Sequence, residues 1–232
     1  MTLELPPQPL LLTLPASAKS AGFAVDDHQR VIQALSALSP HGLPERAVDK
    51  RRAEFLAGRY AAQLALRELG IEQLPTRNDD GSPGWPDEVV GSITHGAGRA
   101  LCVVARRREL RGIGIDAERL MSEDSKVELR HRICTPLELA RLRETMALAE
   151  HELVSLAFSA KESLYKCLYP EVGRFMDLHA ATVVGARTEG AAGELTLELA
   201  QDWSEVFRQG QLFQAVFHKS ESHVETAVLL SA

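Results

Sequence analysis

The sequence predicts an α+β fold in two halves of similar size, joined near residues 106–112. The order of elements carries the prediction: a long helical segment, two strands, a third strand, two further helices and a last group of strands. The last group reads as antiparallel, because Leu195, Leu197 and Leu199 alternate with Thr196 and Glu198. A chain of 232 residues suits one large domain or two small ones and can bury a sizeable core. The halves are taken as residues 1–111 and 112–232.

Residues 1–27 are rich in proline and small residues and are expected to wrap the surface as irregular or extended chain. Residues 46–69 form a strong helix. Ala53, Leu56, Ala57, Tyr60, Ala61, Leu64 and Leu66 supply its apolar side, and Gly70 ends it. Residues 78–84 are a loop by composition. Residues 91–95 and 100–106 read as strands joined by Gly96-Ala97-Gly98. Next comes GIGIDAE, residues 112–118, a strand with Asp116 and Glu118 two apart. Strand side chains alternate faces, so both carboxylates point one way, with Gly112 and Gly114 leaving that face bare. Ile113, Ile115 and Ala117 point the other way and are expected to be buried. Thr135-Pro136-Leu137-Glu138 places an N-cap, a first-turn proline and an acid in the order that opens a helix, expected to run to about residue 149. A further helix covers about 150–168, with Leu153, Leu156, Ala157, Ala160 and Leu164 as its stripe, and stops before Pro170. Residues 212–217 and 224–229 close the chain as strands.

Net charge is −6, from 32 acids against 26 bases, which argues against a general nucleic-acid binder. Cys102, Cys134 and Cys167 are odd in number and widely spaced, as expected of reduced thiols rather than disulfides or a zinc site. Leu10-Leu11-Leu12 is too short for a secretion signal and is bracketed by Pro9 and Pro15. No run approaches the roughly 20 apolar residues of a membrane span. These readings give a cytoplasmic protein as the expectation.

Four constellations bear on chemistry, each with two readings. Asp116 and Glu118 are either a strand end with one solvated face or carboxylates for a hard divalent cation such as magnesium. Glu162 and Lys166, four apart on a helix, are either a stabilising surface pair or a metal ligand or general base with a phosphate-neutralising lysine, to which Lys161 would add. Thr94 and His95 are either an ordinary strand end or a phosphate contact before a glycine-rich turn, where backbone can approach closely. Arg51, Arg52 and Arg59 lie on neighbouring parts of one helix face, either as solvated charge or as a phosphate clamp. Together these residues suit phosphoryl-type transfer with a metal, where catalysis is positioning and charge stabilisation.

In order, KRRAEFLAGRYAA at 50–62, GSPGWPDEVVGSITH at 81–95, GIGIDAE at 112–118 and FSAKESLYKCLYP at 158–170 resemble the Sfp-type 4′-phosphopantetheinyl transferases, nearest the enterobactin synthetase component D-like branch. The resemblance covers residues 46–170. It implies two pseudo-symmetric α+β halves, each a small antiparallel sheet packed on helices, with coenzyme A held in the cleft between them. It implies a monomer that transfers phosphopantetheine from coenzyme A to a serine of an apo acyl or peptidyl carrier protein, releasing adenosine 3′,5′-bisphosphate. Siderophore and fatty-acid synthesis are the implied settings. Asp116, Glu118 and Glu162 match magnesium ligands, and Lys161 and Lys166 match lysines near the pyrophosphate. Thr94 and His95 match a coenzyme A phosphate contact; Arg51 and Arg59, with Arg52 as a neighbour, match bases at the 3′-phosphate and adenine end. Two departures stand out. Many members carry a basic residue around the Gly-x-Pro turn, where this chain has Asp80-Gly81-Ser82. Some carry an acid or glutamine between the two metal carboxylates, where this chain has Ala117, so water is expected to fill that position. The rival functions are a magnesium-dependent nucleotide phosphohydrolase and a non-catalytic module binding coenzyme A or a carrier protein. Arg106–Arg108 with Arg111, or Arg130, Arg132, Arg141 and Arg143, are either solvated surface charge, the simpler reading, or candidate patches for docking an acidic carrier.

Overall fold

The computed structural model describes residues 5–38, 47–124 and 127–232. The fold is α+β with antiparallel sheets, as expected. The chain forms two compact units, residues 1–113 with 230–232, and residues 114–229.

The first unit is built on a three-stranded sheet, order β1-β5-β4, with β1 at Lys19–Ala24, β4 at Val89–Gly96 and β5 at Arg99–Arg106. Helix α1, His28–Ala34, and helix α2, Asp49–Arg67, accompany it, and α2 packs on β5 and β1. Ala53, Ala57 and Ala61 are fully buried along α2, so the helix backbone can lie close to the sheet. The expected start of α2 at residue 46 lies outside the described residues; its end near Gly70, at φ 74°, is as read. β4 and β5 form a hairpin in register His95↔Ala100 and Gly96↔Arg99. Its turn residues Ala97 and Gly98 take φ of 53° and 74°, the left-handed pair that a tight hairpin requires. The 78–84 loop is a small hairpin, closed by β2 at Thr76–Arg77 and β3 at Pro83–Gly84. Residues 1–27 do not simply wrap the surface: β1 pairs with β5 from Lys19↔Val104 to Ala24↔Arg99. Phe23 anchors it by stacking on Tyr60, ring centroids 4.9 Å apart.

The second unit is built on a five-stranded sheet, order β6-β10-β9-β8-β7. These strands are Leu110–Arg119 (β6), Ala181–Glu189 (β7), Ala192–Leu199 (β8), Leu212–Lys219 (β9) and His223–Ser231 (β10). The division between the units falls within β6. Helices α3, Val127–Ile133, α4, Pro136–Thr145, and α5, Glu150–Val172, complete the unit, and α5 packs on β9, α3 and α4. The capping box at Thr135 forms as read: the Thr135 N–H donates to Glu138 Oε2 at 2.8 Å and the Glu138 N–H to Thr135 Oγ1 at 3.2 Å. Helix α4 stops at Thr145, short of residue 149. Helix α5 runs through Pro170 instead of stopping before it, and closes on Gly173 at φ 66°. Pro170 withholds one amide hydrogen bond, a local cost of about 3 kcal/mol or more in a helix interior. The buried stripe Leu153, Leu156, Leu164 and Leu168 outweighs it, and the Gly173 N–H still reaches the Tyr169 carbonyl at 2.9 Å.

All three cysteines are buried free thiols. Among the described residues, no helix is long and apolar enough to cross a membrane.

Candidate active site

In the second unit, β6 brings Asp116 and Glu118 to the residues that α5 presents one turn apart, Glu162 and Lys166. The Lys166 ammonium donates to Asp116 Oδ1 at 2.6 Å and to the Ile115 carbonyl at 3.2 Å. Asp116 is 3% exposed, so this ion pair sits at the floor of the group. Burial pushes the Glu118 carboxyl up to about 7; Asp116 and Glu162 add to the rise, and Lys166 opposes it. Burial likewise raises Glu162, against Lys166 and with Asp116. Three carboxyls and one ammonium therefore feel one another, with negative charge in excess. Among the described residues, no three histidine, cysteine or carboxylate side chains stand in a closed ligand set. The donor set still fits magnesium, which takes one or two carboxylates and fills its shell with water and phosphate oxygens. Its charge would offset the burial, and the added repulsion, that raise Glu118 and Glu162.

The face of β6 at Gly114 is not left bare, as the sequence led one to expect, but is covered by helix backbone. A Cβ on Gly114 would lie 1.8 Å from the Ser163 carbonyl oxygen and 2.5 Å from the Cys167 nitrogen. Gly114 is bare because the backbone of α5 comes down on it, and this approach sets Glu162 and Lys166 beside Asp116. The strand is buried on both faces from Gly112 to Ala117, not on one. The serines of FSAKES, which sequence reasoning passed over, fix the same helix to β10. Ser159 Oγ and Ser163 Oγ lie 2.9 and 2.7 Å from Thr226 Oγ1. Ser163 Oγ also donates to the Thr226 carbonyl at 3.1 Å.

Lys161 does not join this group in the structure. One residue before Glu162, it points about 100° around the helix, into the core. It is 3% exposed, its ammonium 2.7 Å from Glu138 Oε1 and 2.8 Å from the Ile133 carbonyl it donates to. Glu138 Oε1 also accepts from the Val183 N–H at 2.9 Å. The residue that marked a helix start in the sequence is thus also the counter-ion of Lys161.

In the first unit, α2 and β4 bring Arg51 and His95 together. Arg51 Nη1 donates to His95 Nε2 at 2.8 Å, which places the histidine proton on Nδ1, facing Glu54 Oε2 at 3.7 Å. Glu54 was not singled out from the sequence, although it lies one helical turn beyond Arg51. Thr94 is separated from His95: strand alternation puts it on the opposite face of β4, where it is 3% exposed. Arg52 is exposed on α2. Arg59, two turns on, is 4% exposed, with its guanidinium carbon 5.1 Å from the centroid of the Phe55 ring. Burial lowers its pKa to about 10, so it remains a cation at neutral pH. Its Nε and Nη1 have no hydrogen-bond partner.

The second unit thus carries a carboxylate–lysine group suited to a divalent cation, and the first unit carries an arginine–histidine group suited to an anion. Comparison with known proteins makes the class definite. The family model for the 4′-phosphopantetheinyl transferase N-terminal domain matches residues 39–105, and that for the 4′-phosphopantetheinyl transferase superfamily matches residues 112–224. Together they take in most of the chain, which belongs to the 4′-phosphopantetheinyl transferase superfamily. Among similar proteins, enterobactin synthase component D of Salmonella typhimurium is 43% identical over 135 residues, 58% of this chain and 56% of the relative. Enterobactin synthase component D of Escherichia coli is 45% identical over 122 residues, 53% of this chain and 57% of the relative. The 4′-phosphopantetheinyl transferase PptT of Mycobacterium tuberculosis is 40% identical over 139 residues, 60% of each chain. The chain thus spans little more than half the length of these curated relatives.

Proposed function

We propose that this protein transfers 4′-phosphopantetheine from coenzyme A to a serine of an apo acyl or peptidyl carrier protein and releases adenosine 3′,5′-bisphosphate. The observation that carries the reading is the Lys166–Asp116 ion pair, at 2.6 Å, set against the coupled carboxyls Glu118 and Glu162. Asp116, Glu118 and Glu162 would hold magnesium, which when bound neutralises the pyrophosphate. Glu162, its proton affinity raised by burial, takes the proton of the carrier serine. The serine oxygen forms a bond to the β-phosphorus as the bond from that phosphorus to the bridging oxygen breaks. The electron pair of the broken bond leaves on the bisphosphate, where the Lys166 ammonium meets the new charge. Arg51, His95 and Arg59 bind the nucleotide end.

Relatives named as components of enterobactin synthase favour carriers of a siderophore-type peptide synthetase, with fatty-acid carriers as the second class to try. A monomer in the cytoplasm completes the reading. The test is incubation of the protein with coenzyme A, magnesium and a panel of apo carriers. The expected result is a mass gain of one phosphopantetheine on a carrier, lost in Glu162→Gln and in chelator. Release of inorganic phosphate from the nucleotide without any gain on a carrier would replace the proposal with a hydrolase.

A further inference from the structure

We propose that Thr226 is a positioning residue: its hydroxyl, bonded to Ser159 and Ser163, fixes the rotation of α5 and so sets Glu162 and Lys166 beside Asp116. The inference deepens the function proposed above and rests on it for the reaction that this position serves.

The three hydroxyls form one closed network. Ser159, Ser163 and Thr226 are all fully buried, so none of them faces water. Ser163 Oγ donates its one proton to the Thr226 carbonyl at 3.1 Å. At the 2.7 Å contact between Ser163 Oγ and Thr226 Oγ1, the threonine is therefore the donor. With its own proton spent there, Thr226 Oγ1 accepts from Ser159 Oγ at 2.9 Å. Each hydroxyl thus donates once, and Thr226 is the member that touches both serines.

The level of the network along α5 gives it a role beyond packing. Ser159 and Ser163 are one turn apart and bracket Glu162 along the axis. Glu162 lies about 60° around the helix from Ser159 and about 100° from Ser163. Leu156, Leu164 and Leu168 hold α5 by burial, which is not directional. The approach at Gly114 sets how near the helix comes to β6. Hydrogen bonds are directional, and these run to β10, an inner strand that β6 and β9 hold from either side. They set how the helix is turned. A side-chain tip stands about 6 Å from a helix axis, so a turn of about 10° moves it about 1 Å. A misplacement of about 1 Å can cost about a hundredfold in rate.

The fold itself does not need the threonine hydroxyl. Valine at 226 would keep nearly the same shape. Ser163 would keep the backbone carbonyl of residue 226. Ser159 would turn to the Ser155 carbonyl one turn back, as Ser155 itself donates to the His151 carbonyl at 2.7 Å. Geometry and stability are therefore separable by mutation.

The experiment compares the full chain with Thr226→Val, Thr226→Ser and the triple variant Ser159→Ala, Ser163→Ala, Thr226→Val in steady-state transfer, with thermal unfolding alongside. Thr226→Val is expected to lower kcat about ten- to a hundredfold, with the KM for coenzyme A within about twofold and a melting temperature near the parent's. Thr226→Ser keeps the hydroxyl and should recover most of kcat. The triple variant strands no buried hydroxyl, so it should melt near the parent and yet stay as slow as Thr226→Val. If kcat simply follows melting temperature across these variants, or if Thr226→Val keeps kcat within about twofold of the parent, the positioning role is wrong while the transferase reading stands. If the parent transfers nothing to any carrier, the transferase reading fails. Thr226 is then judged by amide hydrogen exchange over residues 158–168, expected to quicken in Thr226→Val and to return to the parent's rate in Thr226→Ser. Equal exchange in the parent and Thr226→Val overturns the proposal.

Discussion

At the scale of single residues, the two lysines of α5 separate stability from chemistry. Lys161 is sealed against Glu138, and removing one partner of a buried pair leaves the other charge uncompensated, at a cost of about 3–5 kcal/mol. Lys161→Met is expected to lose stability on that scale in urea unfolding, whereas Lys166→Met should lose transfer activity, with a smaller stability loss from the stranded Asp116 because the ammonium it replaces is partly exposed. The reverse pattern would exchange the two roles. Glu118 adds a pH dependence. Its folded pKa of about 7 lies above the ordinary carboxyl value of 4.5, so its neutral form is favoured by folding. That contribution is fully present below about 4.5 and is lost as pH rises through about 7. Without magnesium, the parent should therefore lose stability relative to Glu118→Gln between pH 5 and 7.5. Magnesium should recover the difference at pH 7.5, where the carboxylate is ionised. Parallel urea midpoints for parent and variant across that range would remove Glu118 as the titrating group.

At the scale of elements, the contact of β6 with α5 makes the site. Gly114→Ala would drive a methyl group into the backbone of Ser163 and Cys167, which cannot retreat as a flexible side chain could. Overpacking of a core costs about 1–3 kcal/mol and sometimes more, so a large drop in melting temperature or in soluble yield is expected. Gly185→Ala is the control, because its nearest neighbour would be Thr196 Oγ1 at 3.5 Å, an ordinary contact. Equal melting temperatures for the two variants would dismiss the backbone approach as the reason for glycine at 114. Elements with strong local chemistry were legible in the sequence: the Thr135 capping box, the turn after His95, the alternating strands of the last sheet. Elements held by distant partners were not. β1 offers Phe23 as its single large apolar anchor, β7 shifts register between Val183 and Gly185, and the continuation of α5 past Pro170 depends on burial. The site divides the same way. Asp116, Glu118, Glu162 and Lys166 follow from strand and helix periods. The diversion of Lys161 depends on Glu138, 23 positions away in sequence but 2.7 Å away in space.

At the scale of the whole molecule, a chain of net charge −6 serving an acidic carrier, as proposed, would attract it through a local patch, because attraction fades beyond a Debye length of about 8–10 Å. Many of the candidate bases already serve the fold. Arg106 binds the Leu69 carbonyl at 2.5 Å and Glu88 at 2.9 Å, and Arg107 binds the carbonyls of Asp87 and Val89. Arg130 and Arg143 both engage Glu150. Arg132 on α3 and Arg141 on α4 differ in setting, for the same two helices expose Val127, Leu129 and Leu137 at 59%, 44% and 59%. Exposed apolar side chains beside cations suit an acidic helix with an apolar stripe, and this surface belongs to the unit that carries Glu162, to which the proposed mechanism brings the serine. Reversing both charges, Arg132→Glu with Arg141→Glu, is expected to raise the carrier KM at least fivefold at low salt, with the coenzyme A KM unchanged. The effect should shrink at about 0.3 M salt, where exposed charges are screened. Arg130→Glu should instead lower the melting temperature, because it breaks the pair with Glu150. A carrier KM unmoved by the double reversal, with its salt dependence intact, would move the docking surface off α3 and α4.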